Sequence, residues 1–355
     1  MTIRLFEHTE PFTLESGHTL QRIHLAYTLH GTLNETKDNV IWIFHALTAN
    51  SDPLEWWPGL IGEGRLFDPA RYFIVCVNMP GSCYGSIGPL DNNRESGEQF
   101  FHDFPFFTIR DMVRSYQLLR KHLGIERIFV GAGGSMGGQQ LLEWAIEEPE
   151  LFEHIVPLAT NAIHSPWAIA FNATQRHAIE NDLSWKERSE HAGLNGMKVA
   201  RGVALLSYRN YQTYQLGQSE LSGQRIDGFR SESYQLYQGE KLAKRFNAFS
   251  YYFLSKSMDS HNVGRGHGNL ELALSKIQAK TLVLSIESDI LFPPSEQQFL
   301  AKKITGATYQ MINSDYGHDG FLLEYDQISK AIEQHLSIHK KSFSGTSGQT
   351  EVIIK

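Results

Sequence analysis

Residues 127–144 read RIFVGAGGSMGGQQLLEW. Ile128, Phe129 and Val130 make an apolar run of β type, and Gly131, Ala132, Gly133 and Gly134 then carry the chain through a turn almost without side chains. Ser135 sits at the apex, and from Met136 onward the spacing of apolar residues is helical. Gly133-Gly134-Ser135-Met136-Gly137 fits G-x-S-x-G between a strand and a helix, the context of a nucleophile elbow. A serine on so sharp a turn sits in strained backbone, and neighbouring Cβ atoms would clash with the strand or the helix. The free N–H groups at the helix start face any oxyanion formed there.

Outward from this stretch, a short strand is expected at 154–160 (HIVPLAT) and the last strand at 308–312, and near-continuous apolar runs recur at residues 39–44 (NVIWIF), 72–77 (YFIVCV) and 280–285 (KTLVLS). Strands of this kind are buried on both faces. They alternate with helical patterns: one capped by Thr108 and Asp111 that stops at Gly124, the elbow helix ending near Pro149, and one over 328–335. The pattern predicts an α/β fold, a mostly parallel sheet with helices on both faces. Residues 12–15 and 22–27 alternate around Ser16-Gly17 and predict an opening antiparallel hairpin. From 161 to 274 the texture is polar and aromatic without a strong buried strand. AIAFNATQRHAIE, KVARGVALLSYRNYQTY and KRFNAFSYYFLSKSM read as helices, so this stretch is expected to be an all-helical lid inserted into a core formed by 1–160 and 275–340. Residues 342–349 are Ser/Gly/Thr-rich, and 341–355 are expected to be a flexible tail.

Composition narrows the function classes. With 355 residues, 41% of them hydrophobic and 20% charged, a large core is feasible and global disorder is not. The net charge is −7 and no extended basic run occurs, which argues against nucleic acid or an anionic membrane as a partner. Two cysteines, Cys76 and Cys83, are too few for a disulfide framework and suit a reducing compartment. No signal-peptide core or membrane-length apolar run is present, so a cytoplasmic protein is expected. Among the 16 histidines none forms H-E-x-x-H; His261 and His267 lie in a loop-like stretch, and no metal is expected.

A serine hydroxyl needs a base to take its proton and a carboxylate to orient that base. In a fold built around such an elbow both follow the serine, each just past a strand. Asp289, after TLVLSIES, is the candidate acid, with Glu287 as its rival. His318, in YGHDGF after the last strand, is the candidate base; His335 falls within a helix and His339 in the tail. The oxyanion-hole donors should be the backbone N–H groups of Met136, which follows the serine, and of Leu47, in the loop HALTAN. His45 precedes the serine and is expected to shape that loop.

HALTANS, WWPGLIGEG, RYFIVCVNMPGSCYGSIGP, FTIRDMVR, GGSMGGQQLLEWA and YGHDGFL, in this order within about residues 22 to 334, together resemble the homoserine O-acetyltransferases of the α/β-hydrolase superfamily. The resemblance implies an α/β-hydrolase fold with a helical lid, and transfer of acetyl from acetyl-CoA, as co-substrate, to the hydroxyl of L-homoserine on the way to methionine. It implies a ping-pong route through acyl-Ser135, with Asp289 orienting and His318 acting as general base. No tightly bound cofactor is implied, and a homodimer with contacts through the lid is. It assigns substrate binding to Arg201, in Gly196-Met197-Lys198-Val199-Ala200-Arg201, to Tyr208 and to Asp319. The charges suit a zwitterion: Arg201 for the carboxylate, with Arg209 as rival, and Asp319 for the ammonium. Three alternatives stand beside this reading: succinyl transfer or a serine acceptor with the same triad, an esterase or thioesterase that passes the acyl group to water, and a non-catalytic binding protein.

Overall fold

A computed structural model of the chain describes residues 2–93 and 96–343, with side chains through Ser337. The first half runs β1 (Arg4–His8), β2 (Phe12–Thr13), β3 (Thr19–Leu20), β4 (Ile23–His30), β5 (Val40–Phe44), α1 (Pro53–Trp56), β6 (Phe73–Val77), α2 (Ile109–His122), β7 (Ile128–Gly134), α3 (Met136–Glu147) and β8 (Phe152–Leu158). A helical stretch follows: α4 (Pro166–Glu180), α5 (Leu194–Tyr208), α6 (Tyr211–Gln218), α7 (Arg230–Ala243), α8 (Ala248–Asp259) and α9 (Leu270–Leu274). The chain then returns to the sheet with β9 (Lys280–Ile286), α10 (Pro294–Lys303), β10 (Thr308–Ile312) and α11 (Tyr325–Phe343).

The eight-stranded sheet has the order β1-β4-β6-β5-β7-β8-β9-β10. From β6 to β10 neighbouring strands are parallel, while β1 and β4 add an antiparallel edge. Strand β5 shows why its sequence is apolar throughout. Trp42 and Phe44 enter the core under α2 and α3, where Trp144 meets both rings edge-on at 4.9 and 6.0 Å. Ile41 and Ile43 enter the core on the opposite face, with Val130, Leu284 and Ile332. Both faces are covered, so a polar residue at any of these positions would be buried without water. Helix α2 starts where the sequence places it: Thr108 and Asp111 form a reciprocal capping box.

Four local expectations are corrected. The opening hairpin is short, with Phe12 opposite Leu20, and the long strand β4 pairs instead with Arg4–His8. The run 198–214 is two helices, because the backbone is extended at Arg209 and Asn210 caps a new start. The run KRFNAFSYYFLSKSM becomes helical only at Ala248, where the Asn247 side chain caps α8, and the segment before it ends α7, which buries only Gly239 and Leu242. The last helix spans Tyr325–Phe343, so residues 341–343 continue a helix; the remainder of the expected tail lies outside the described residues.

Candidate active site

Every parallel strand from β5 to β10 delivers a loop to the same edge of the sheet, its carboxyl end, where open α/β sheets gather functional groups. Ser135 follows β7 with φ 57° and ψ −126°, a region side chains rarely occupy. Its backbone is held from both directions. The Ser135 N–H donates to Leu158 O at 3.0 Å, and the Thr160 hydroxyl donates to Ser135 O at 2.8 Å. The elbow tolerates no Cβ at Gly137: one built there would lie 2.2 Å from the Phe44 carbonyl oxygen. That close approach lets α3 start directly against β5.

Asp289 lies in the loop after β9 and is buried. Its Oδ1 accepts the backbone N–H groups of Leu291 at 2.8 Å and Phe292 at 2.9 Å, while Oδ2 lies 2.6 Å from His318 Nδ1. With both atoms of the carboxylate thus engaged, His318 must carry its proton on Nδ1 and leave Nε2 as the basic nitrogen. The rival Glu287 is exposed and does not reach the imidazole; its carboxylate lines a different cavity.

His318 follows β10 on a 3₁₀ turn spanning Gly317–Leu322. Gly317 has φ 62°, and a Cβ there would lie 2.9–3.0 Å from the backbone of Tyr208 and Arg209, so the turn and the end of α5 touch directly. The imidazole is walled by rings: Phe292 stacked at 5.0 Å, Phe321 at 5.1 Å and Tyr208 at 5.8 Å. Ser135 and His318 line one cavity of about 520 Å³. No hydrogen bond joins the Ser135 hydroxyl to the imidazole among the described residues, a contact that in unliganded enzymes often tightens only with substrate.

The same cavity is lined by Leu47, Arg201, Tyr208 and Asp319. Leu47 lies in the loop after β5, and Met136 is the first residue of α3; neither backbone N–H donates to a protein acceptor among the described residues. The Arg201 guanidinium lies 5.5 Å over the Tyr208 ring. Asp319 Oδ2 accepts from Arg209 Nε at 3.1 Å. Burial pushes the Asp319 carboxyl above the usual carboxylate range, and the cations Arg209, Arg201 and His318 oppose that rise. Arg209 lines a second cavity, of about 580 Å³, with its guanidinium 5.8 Å over Tyr234.

The other histidines raised by the sequence occupy separate places. His45 shapes the loop of Leu47: Nδ1 bonds to Ala46 O at 2.9 Å and Nε2 accepts the Met79 N–H at 3.1 Å, with burial lowering its pKa to about 4. His261 bonds to Asn161 O, and His267 lies 2.9 Å from Lys276 Nζ. His335 is buried within α11, and the side chain of His339 lies outside the described ones. Among the described residues no cluster of three or more His, Cys, Asp or Glu could hold a metal. Sequence reasoning overlooked Tyr84, Lys241 and Arg245, which also line the cavity.

A strained serine after a central strand, a buried Asp–His pair past later strands and a mostly parallel sheet define an α/β-hydrolase-type protein. A family model described as alpha/beta hydrolase fold matches residues 39–325. The homoserine O-acetyltransferase of Cyclobacterium marinum is 49% identical over 328 residues, 92% of this chain and 93% of that protein. Its counterpart from Chlorobaculum tepidum is 43% identical, covering 93% and 94%. Within the α/β hydrolases, the chain belongs to the homoserine O-acetyltransferase family. Among solved structures, homoserine O-acetyltransferase from Bacillus anthracis has the same fold with a TM-score of 0.85 at 24% identity, covering 95% of this chain and 98% of that one. An acetylester hydrolase from Corynebacterium glutamicum superposes with a TM-score of 0.84 at 25% identity, covering 95% and 96%.

Proposed function

We propose that this enzyme transfers an acetyl group from acetyl-CoA to the side-chain hydroxyl of L-homoserine through an acetyl-Ser135 intermediate. The observation that carries the reading is one cavity wall holding Ser135, His318, Arg201 and Asp319 together. His318 Nε2 takes the Ser135 proton as the hydroxyl oxygen attacks the thioester carbonyl. Negative charge develops on the carbonyl oxygen, and the N–H groups of Leu47 and Met136 stabilise it. The thiol departs with the proton held by His318. In the second half the homoserine hydroxyl gives its proton to His318 and attacks the acetyl-serine, regenerating Ser135. Arg201 holds the acceptor carboxylate and Asp319 its ammonium, while Tyr208 closes the wall between them.

Water competes with homoserine for the acetyl-enzyme, and helices α4–α8 act as the lid that limits its access. This separates the transferase from the esterase reading, which the likeness to an acetylester hydrolase keeps in play. With acetyl-CoA, thiol release is expected to depend strongly on added homoserine; release at the same rate without an acceptor would identify a hydrolase. In the same assay Arg201→Ala is expected to raise the homoserine KM by roughly 10–100-fold, the loss of a charge-assisted pair, with a smaller effect on the acetyl-CoA KM. Equal effects on both would move the carboxylate role elsewhere.

The lid also favours a homodimer. Leu216 and Leu236 on α6 and α7 are 80% and 67% exposed, and Leu221 and Ile226 between these helices are more exposed still. Apolar side chains gathered in this way gain by mutual burial in a second copy. No described helix is long and apolar enough to cross a membrane, and a cytoplasmic location fits the proposed substrates.

A further inference from the structure

The catalytic cavity is lined by two cations that acetyl transfer itself does not use, Lys241 in the last turn of α7 and Arg245 just beyond it. The chain keeps turning past the helix end, where the Arg245 and Phe246 N–H groups both donate to Leu242 O at 3.0 Å. Residues 241 and 245 are thus one turn apart and neighbours in space. Both are exposed, whereas Ser135 is only 5% exposed, so the cations mark the outer part of the cavity and the serine its floor.

Nearby carboxylates offset this positive charge only in part: among those described Glu55 alone has no ion pair, one negative charge against two positive ones. Glu240 pairs with Lys198 at 2.8 Å. Glu55, in the same cavity lining, accepts from Asn50 Nδ2 at 3.0 Å, and Asp319 is engaged by Arg209. Among the described residues Arg245 is braced only through Nη1, to Thr48 O and to the Tyr84 hydroxyl, each at 2.5 Å. Its other nitrogens are left to meet an anion in a fixed direction. The end of α7 presents the negative pole of its dipole here, so attraction for an anion must come from the two side chains.

On the acetyl-transfer reading above, we propose that Lys241 and Arg245 seat the phosphate groups of the acyl carrier at the cavity mouth. Arg201 and Asp319 then read the acceptor, while Lys241 and Arg245 read the donor by charge far from the reacting carbonyl. Remote contacts of this kind hold the thioester over Ser135 and favour a phosphorylated carrier over a neutral one.

The test compares acetyl-CoA with S-acetylpantetheine, which keeps the thioester arm and lacks the phosphates. In Lys241→Gln the kcat/KM for acetyl-CoA is expected to fall roughly tenfold, mostly through KM, and Lys241→Arg to recover most of it. The loss with S-acetylpantetheine should be at least about fivefold smaller, and rising ionic strength should cost Lys241→Gln less than the wild type. Equal losses with both donors, or no loss with acetyl-CoA, would overturn the proposal. If the wild type turns over acetyl-CoA at the same rate without homoserine as with it, the transferase reading falls, and the same donor comparison read on thioester hydrolysis still decides the role of Lys241.

Discussion

Ser135→Ala is expected to lose at least about 10³-fold in kcat, because no acetyl-enzyme can form. The substitution removes one oxygen and keeps the Cβ. The backbone restraints on residue 135, its N–H to Leu158 O and the Thr160 hydroxyl to its own carbonyl, do not involve the lost atom. The strained φ of 57° is as costly for alanine as for serine, so stability should change little while turnover collapses. Steady-state kinetics alongside a denaturation curve separate the two. A variant that folds normally and retains near-normal turnover would refute a covalent route through this residue.

Asp289→Asn is the second large effect, a loss of about 10⁴-fold in kcat, the scale seen when a triad acid becomes an amide. The surrounding hydrogen bonds explain why the geometry survives and the chemistry does not. Oδ1 accepts two backbone N–H groups, from Leu291 and Phe292, so an asparagine must place its carbonyl oxygen there. Its NH₂ then faces His318 Nδ1, which now must accept, and the ring proton moves to Nε2. The imidazole can no longer take the serine proton. Glu287→Gln, two residues away, should cost less than about twofold, since that carboxylate is exposed and faces another cavity. Comparable losses for the two variants would contradict the assignment of the acid.

What could be read from the sequence depended on burial. Strand β5 announces itself because all five of its residues are buried and apolar, divided between two cores. Strand β1 does not: only Phe6 of its five residues is buried, so its periodicity is too weak to single it out as the partner of β4. Helix α7 buries only Gly239 and Leu242, so it did not stand out within the expected helical lid, and Lys241 was hidden with it. Ser135 and Asp289 were legible because each follows a buried strand, and His318 because it follows the last strand; a parallel sheet brings such positions to one edge.

The choice between Arg201 and Arg209 was not legible in residue types. The extended backbone at Arg209, φ −113° and ψ 174°, ends α5 after Tyr208, so that Arg201 lines the catalytic cavity while Arg209 lines a neighbouring one and reaches Asp319 from there. Nothing in the local run RGVALLSYRNYQTY marks that break except Asn210, whose side chain caps the next helix. Similarly, the approach of Gly317 to Tyr208 and Arg209 joins segments more than a hundred residues apart, a contact no local pattern encodes.

The most direct test of the account is the acetyl-enzyme itself. The protein is mixed with acetyl-CoA in the absence of homoserine, quenched in acid, digested and analysed by mass spectrometry. The account predicts a single acetyl group on the peptide carrying Ser135, discharged on addition of homoserine as O-acetylhomoserine appears. An unmodified Ser135 in an enzyme that is turning over, or an acetyl group that homoserine does not remove, would contradict it.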